Sequence, residues 1–181
     1  MNRIMKFLFS SILVLVVSMT TFGQSIKIKK DSTLKKHLIE TSVLSPTIGV
    51  YQIIYNYNFS NKNAIVFGLA HSNIDHDPNQ SLYNSIIVGY RRYFWKHAHI
   101  EAQIWIGNNT YTEESENKDY RGYQAFNENR LGYQFNWNLG RITLTVTPHF
   151  NFGFWLHKGN KPSSFDNSTF FYPNLLLGVK F

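Results

Sequence analysis

From about residue 36 onward, apolar and polar residues alternate along the chain in segments of roughly ten, broken by polar connections. The clearest segment runs from Arg141 to Trp155. Ile142, Leu144, Val146, Pro148, Phe150, Phe152 and Phe154 fall on one face, and Arg141, Thr143, Thr145, Thr147, His149, Asn151 and Gly153 on the other. Side chains on a strand point alternately to opposite faces, so one side of this strand is apolar and the other polar or small. Pro148 has no amide hydrogen to give to a ladder and predicts a local bulge.

The pattern recurs. In Ala98 to Asn108, Ile100, Ala102, Ile104 and Ile106 oppose His99, Glu101, Gln103 and Trp105. Between Gly122 and Trp137, Leu131, Tyr133, Phe135 and Trp137 oppose Gln124, Glu128, Arg130 and Gln134. Between Thr47 and Phe59, Tyr51, Ile53, Tyr55, Tyr57 and Phe59 oppose Gln52, Asn56 and Asn58. Ala64 to Ser72 sets Ile65, Phe67 and Leu69 against small residues, Leu82 to Phe94 alternates less cleanly, and Lys36 to Leu44 is the faintest segment.

A soluble sandwich also alternates, but its polar faces meet water and are rich in Lys and Glu. Here they carry Thr, Asn, Gln, Gly and isolated charges, while aromatics gather near the ends of the apolar faces. That distribution suits strands with one face in hydrocarbon and the other in a hydrogen-bonding lumen. The connections alternate in length. Ser60 to Asn63, Trp95 to His97 and Asn138 to Gly140 are tight, whereas Asn73 to Ser81, Thr110 to Arg121 and His157 to Ser168 are longer and polar. The expected fold is all-β: a closed antiparallel up-and-down transmembrane β-barrel of about eight strands, with both termini on the short-turn side. Tyr55, Tyr57, Phe59, Tyr93, Phe94, Trp95, Phe135 and Trp137 crowd that side, where an interfacial belt is expected.

Composition narrows the picture further. The 181 residues are enough for one domain. Aromatics make up 17 % and charged residues only 16 %, a charge-poor balance for a soluble domain. There is no cysteine, which excludes disulfides, thiolate metal sites and a lipid anchor on an N-terminal cysteine. The net charge of +7 gathers only at Lys27, Lys29, Lys30, Lys35 and Lys36, a polar segment better read as solvated than as a nucleic-acid stripe.

Residues 1–23 read as a secretory signal peptide. Arg3 and Lys6 form its positive start, Phe7 to Met19 its apolar stretch, and Thr21-Phe22-Gly23 its cleavage site, with cleavage expected before Gln24. A polar segment, 24–35, and the barrel, 36–181, follow. The chain ends Leu175-Leu176-Leu177-Gly178-Val179-Lys180-Phe181, with Leu175, Leu177, Val179 and Phe181 on one face. This ending resembles the C-terminal signature of bacterial outer-membrane proteins. Together with the leader and the alternation, the chain is similar in architecture to the small outer-membrane β-barrel proteins of Bacteroidetes-type Gram-negative bacteria. The resemblance implies an outer-membrane location, contact with outer-membrane lipid and lipopolysaccharide, and recognition of Phe181 by the barrel-assembly machinery. It does not extend to a family of defined activity.

Candidate chemistry is sparse. His71-Ser72, at the outer end of a strand, resembles the histidine and serine of lipid A deacylase barrels, but adjacent strand residues point to opposite faces and would not meet as base and nucleophile. His71, Asp75, His76 and Asp77 form the densest set of metal-ligand types, without a diagnostic spacing, and read as a hydrated loop. Glu101, Glu128, Arg130, Arg91, Arg141, His149 and Lys180 are expected to face the lumen and to form a mutually paired polar network. Trp105 and Trp155 fall on the same side as interior filler or stacking surfaces, and Tyr111, Tyr120 and Tyr123 lie near an outer loop. The expected function is a non-enzymatic outer-membrane barrel, monomeric and without cofactor, metal or nucleic-acid partner, with a structural or surface-interaction role. The alternatives are a lipid-modifying enzyme at the outer rim, and a narrow channel or small-ligand carrier.

Overall fold

The computed structural model of the chain describes residues 35–76, 79–113, 118–159 and 169–181. The expected signal peptide and nearly all of the polar segment after it lie outside those residues. Eight antiparallel strands form the barrel: β1 (His37–Ser42), β2 (Val50–Asn58), β3 (Asn63–His76), β4 (Asn79–Trp95), β5 (Ala98–Glu113), β6 (Lys118–Tyr133, resuming as Phe135–Asn138), β7 (Thr143–His157) and β8 (Thr169–Lys180). Each strand pairs with the next in sequence, and β1 pairs with β8, so the sheet closes on itself.

The register fixes the geometry of that closure. Stepping from Ile39 to the facing residue on each successive strand leads through Tyr55, Phe67, Val88, Ile104, Asn127 and Phe154 to Thr169. Ile39 itself pairs with Val179, ten residues further along β8. A stagger of that kind tilts the strands by about 35–45° to the barrel axis and sets an interior just wide enough for side chains to fill.

The faint first segment is a true strand. β1 is short, but it carries Glu40 and Leu38 inward and supplies both closing ladders. It leads into a single 3₁₀ turn, Ser45–Ile48, which Gly49 ends at a φ of +75° that favours glycine. The Gly49 carbonyl then accepts from the amide of Asn73, which ties the turn to the side of β3.

Three expectations need correction. Asn73 to Ser81 and Thr110 to Arg121 are not long loops, because β3 continues to His76, β4 begins at Asn79, β5 continues to Glu113 and β6 begins at Lys118. These extensions have backbone ladders but a polar outer face, so the outward hydrophobic alternation stops before the strands do. Pro148 makes no bulge. Its pairing with Leu175 keeps register, and β6 meets β7 in the same register before and after Gln134, where the ladder is merely interrupted. Tyr93 is not part of the outer aromatic band. It points inward, buried, with its ring against His99.

The two faces of the sheet are inverted relative to a soluble protein. Ile53, Ile65, Phe67, Leu69, Ile86, Val88, Ile100, Ile104, Leu131, Leu144, Phe150 and Phe152 all lie exposed on the outside. Gln52, Asn56, Arg91, Glu101, Gln103, Glu128, Arg130, Thr147 and Asn151 are buried inside. Among the described residues no helix or second sheet covers the apolar face.

Candidate functional site: two tiers inside the barrel

The interior divides into an ionic tier and an aromatic tier. The ionic tier follows from register, because Arg91 on β4 faces Glu101 on β5, which faces Arg130 on β6. Arg91 Nε donates to Glu101, and its Nη2 crosses the lumen to Glu40 Oε2 on β1 at 2.7 Å. Arg130 donates from Nη1 to Glu101 Oε1 at 3.2 Å, from Nε to Glu128 Oε1 at 2.7 Å and from Nη2 to Gln52 Oε1 at 3.0 Å. Glu40 also accepts from Asn56 Nδ2 at 2.9 Å and from Thr147 Oγ1 at 3.1 Å. Gln103 Nε2 donates to Glu101, and Tyr172 OH to Glu128 Oε2 at 2.8 Å.

Every strand except β3 contributes to this network. The inward residues of β3 are small, Ala64, Val66, Gly68 and Ala70, and so leave room for two arginines in a lumen of fixed width. Glu40, Arg91, Glu101, Glu128 and Arg130 are each no more than 1 % exposed. A charge buried to that degree is sustained by pairing, and a water-filled pore would have wetted it.

Of the other expected lumen residues, His149 lies inside on β7 with Nδ1 3.1 Å from the Thr147 carbonyl oxygen. Its Nε2 is buried without a hydrogen-bond partner. Gly132 provides the space there, since a Cβ at that position would meet His149 Cβ at 2.8 Å and His99 Nε2 at 3.1 Å. Lys180 is half-buried near the end of β8. Arg141 is a correction. It lies exposed in the turn before β7, because the alternation that assigns it inward holds only once the strand begins at Thr143.

The same end of the barrel is tied off by Lys35, whose Nζ donates to Asn138 Oδ1 at 3.1 Å, to the Gly140 carbonyl at 2.7 Å and to Thr143 Oγ1 at 2.9 Å. In the β4–β5 turn, partial desolvation and then the charge of Lys180 hold the His97 imidazole below its ordinary pKa.

The aromatic tier lies above the ionic one, on inward positions of β4 to β8. Phe126 is its hub. It stacks on Trp105 with centroids 5.0 Å apart, meets Trp155 edge-on at 5.0 Å and Phe170 edge-on at 5.6 Å, and packs against Tyr83 at 5.9 Å. Trp105 Nε1 donates to Gln103 Oε1 at 2.9 Å, and Tyr83 OH to the Gln124 carbonyl at 3.2 Å. These rings line a cavity of about 310 Å³ with Glu128 and Tyr172 also in its wall, and Ser72, Ile48, Val50 and Lys158 among its other lining residues. Sequence parity assigns Trp105 and Trp155 to the lumen. It assigns Phe126 and Phe170 there as well, since they share the phase of buried Glu128 and half-buried Tyr172, but the polar reading of the inner faces passes over them.

At the rim, His71 and Ser72 point to opposite sides of β3. His71 is exposed on the outer wall with Nδ1 2.8 Å from Asn84 Oδ1, while Ser72 is buried inside. They do not form a base–nucleophile pair. His71 lies in an open groove of about 840 Å³ on the outer wall, between Tyr51, Asn84, Asn108 and Tyr123. Asp75 is exposed on the same strand, and the side chains of His76 and Asp77 lie outside the described residues. Among the described residues no three His, Asp or Glu side chains converge as metal ligands. Phe181 follows β8 and stacks its ring on His37 at 5.6 Å.

Comparison with protein families, with curated proteins and with solved structures finds no match to this chain.

Proposed function

We propose that this chain is an outer-membrane protein of a Gram-negative bacterium, exported by a leader cleaved near Gly23. In this reading it spans the membrane as a monomeric, sealed barrel and serves as a structural or surface-interaction module. The observation that carries the reading is the inversion of its faces. A closed barrel with isoleucine, leucine and phenylalanine outside and buried ion pairs inside is stable only where hydrocarbon surrounds it.

Lipid and lipopolysaccharide are the partners suited to the outer belt, and the apolar alternation ending in Phe181 is the segment for the assembly machinery to read. The buried ionic tier argues against a conducting channel, and the divergence of His71 from Ser72 argues against a hydrolytic pair at the rim. The test is cellular fractionation of the full-length protein followed by gel migration with and without heating. A mature chain in the outer-membrane fraction, migrating faster unheated than heated, is expected. A chain that stays soluble without detergent would refute the reading.

A further inference from the structure

We propose that the aromatic chamber binds a small, flat arylalkyl amine, with the ring held among Trp105, Phe126 and Trp155 and the ammonium on Glu128. The inference rests on the barrel reading above and adds a ligand to it. Its first support is space. These rings pack on one another, yet they also line about 310 Å³ of open space, within the size range of small-molecule sites. The second is the donor–acceptor pattern. Trp105 Nε1 is engaged by Gln103 Oε1, so its ring offers an apolar face, while the wall carries the Glu128 carboxylate, with Lys158 as a second charged group.

The third support is how that carboxylate is held. Both bonds from Arg130 go to Glu128 Oε1, at 2.7 Å from Nε and 2.6 Å from Nη2. Among the described residues Oε2 accepts from the Tyr172 phenol alone and keeps capacity for a second donor. The ion network also counts three carboxylates, Glu40, Glu101 and Glu128, against two guanidiniums, Arg91 and Arg130. Aromatic faces and a carboxylate together favour a cation with a flat apolar body. Lys158, also in the lining, disfavours amines at its own position, so the preference is decided at Glu128.

The test uses the folded full chain in micelles, titrated with 2-phenylethylamine and with 3-phenylpropionate, which has a similar shape and opposite charge. Tryptophan fluorescence and calorimetry are read together. The amine is expected to bind at least about tenfold tighter than the acid, the ratio of one charge-assisted hydrogen bond. Ser72→Phe, which fills the chamber from β3, should abolish binding, and Glu128→Gln should bring the two ligands within about threefold of each other. Heat-modifiable migration of each variant shows that the barrel has folded. Equal affinities in the wild-type protein, or binding undiminished in Ser72→Phe, would overturn the proposal. A folded barrel that binds neither ligand overturns it as well and leaves the membrane reading standing, whereas loss of heat-modifiable migration in the wild type strikes the membrane reading itself.

Discussion

Arg91 and Glu101 face each other directly across the β4–β5 ladder and form an ion pair with both side chains fully buried. Because Glu101 in turn faces Arg130 on β6, register alone builds a row of alternating charge across three strands. A one-residue slip would turn one member of the row outward, so the pairing of the strands and the pairing of the charges specify each other.

The first prediction concerns that row. Glu101→Gln removes the carboxylate that the two buried guanidiniums share, leaving Arg91 with Glu40 and Arg130 with Glu128, and should destabilise the barrel by about 1.5–3 kcal/mol, read from the urea midpoint in refolding micelles. Arg91→Leu should cost more, about 3–5 kcal/mol, because it strands the Glu40 carboxylate and leaves Glu101 with Arg130 alone. Losses below about 1 kcal/mol in both would mean the network does not stabilise the fold.

A second prediction addresses the outer belt. Phe67 lies on the outside of β3 between Tyr55 and Val88, in the middle of the apolar band. Phe67→Arg should cost about 2–4 kcal/mol in a lipid bilayer, whereas Tyr123→Arg, near the extended end of β6, should cost about 0–1 kcal/mol. Equal costs at the two positions would remove the case for a hydrocarbon environment.

Much of this belt is legible in the sequence, because period-2 alternation needs only one apolar face to register. The run from Ile142 to Phe154 identifies β7 and its facing, beginning one residue before Thr143 and stopping three short of His157. The extensions of β3 to β6 are not legible, since beyond the belt their outer faces turn polar and the apolar residues that remain, Ile74, Tyr111 and Tyr120, fall on the inward phase. Arg141 shows the converse error, a parity carried one turn too far. Nor could alternation disclose which inward residues meet. Glu40 lies on the faintest strand, and its partners Arg91 and Thr147 are brought to it only by barrel closure.

The third prediction is electrical. With Glu40, Arg91, Glu101 and Arg130 buried from a water-sized sphere, the reconstituted protein should show no discrete ion steps in a planar bilayer at either polarity. Reproducible conductance from the purified barrel, reduced by changing Glu128 or Arg130, would reinstate the channel reading.

A fourth prediction separates stability from assembly. His37 and Phe181 exchange two backbone hydrogen bonds, at 2.9 and 2.8 Å, and stack their rings. Phe181→Ala keeps the backbone bonds and loses only the stack, so it should cost about 1 kcal/mol in vitro. In cells the same change should lower the folded outer-membrane fraction several-fold if the terminal aromatic is the segment read during assembly. Parallel, small losses in both settings would reduce Phe181 to an ordinary contact.

A rolled ribbon tends to come apart where its first and last edges are joined, and five facing residue pairs, with His37 and Phe181 bonded beside them, hold that join here. Yet Glu40, on the first edge, is gripped from the opposite wall by Arg91 and from beyond the last edge by Thr147. Peeling the join would drag a carboxylate away from its guanidinium, so the tube has no zip to run. It stays shut or comes undone as a whole.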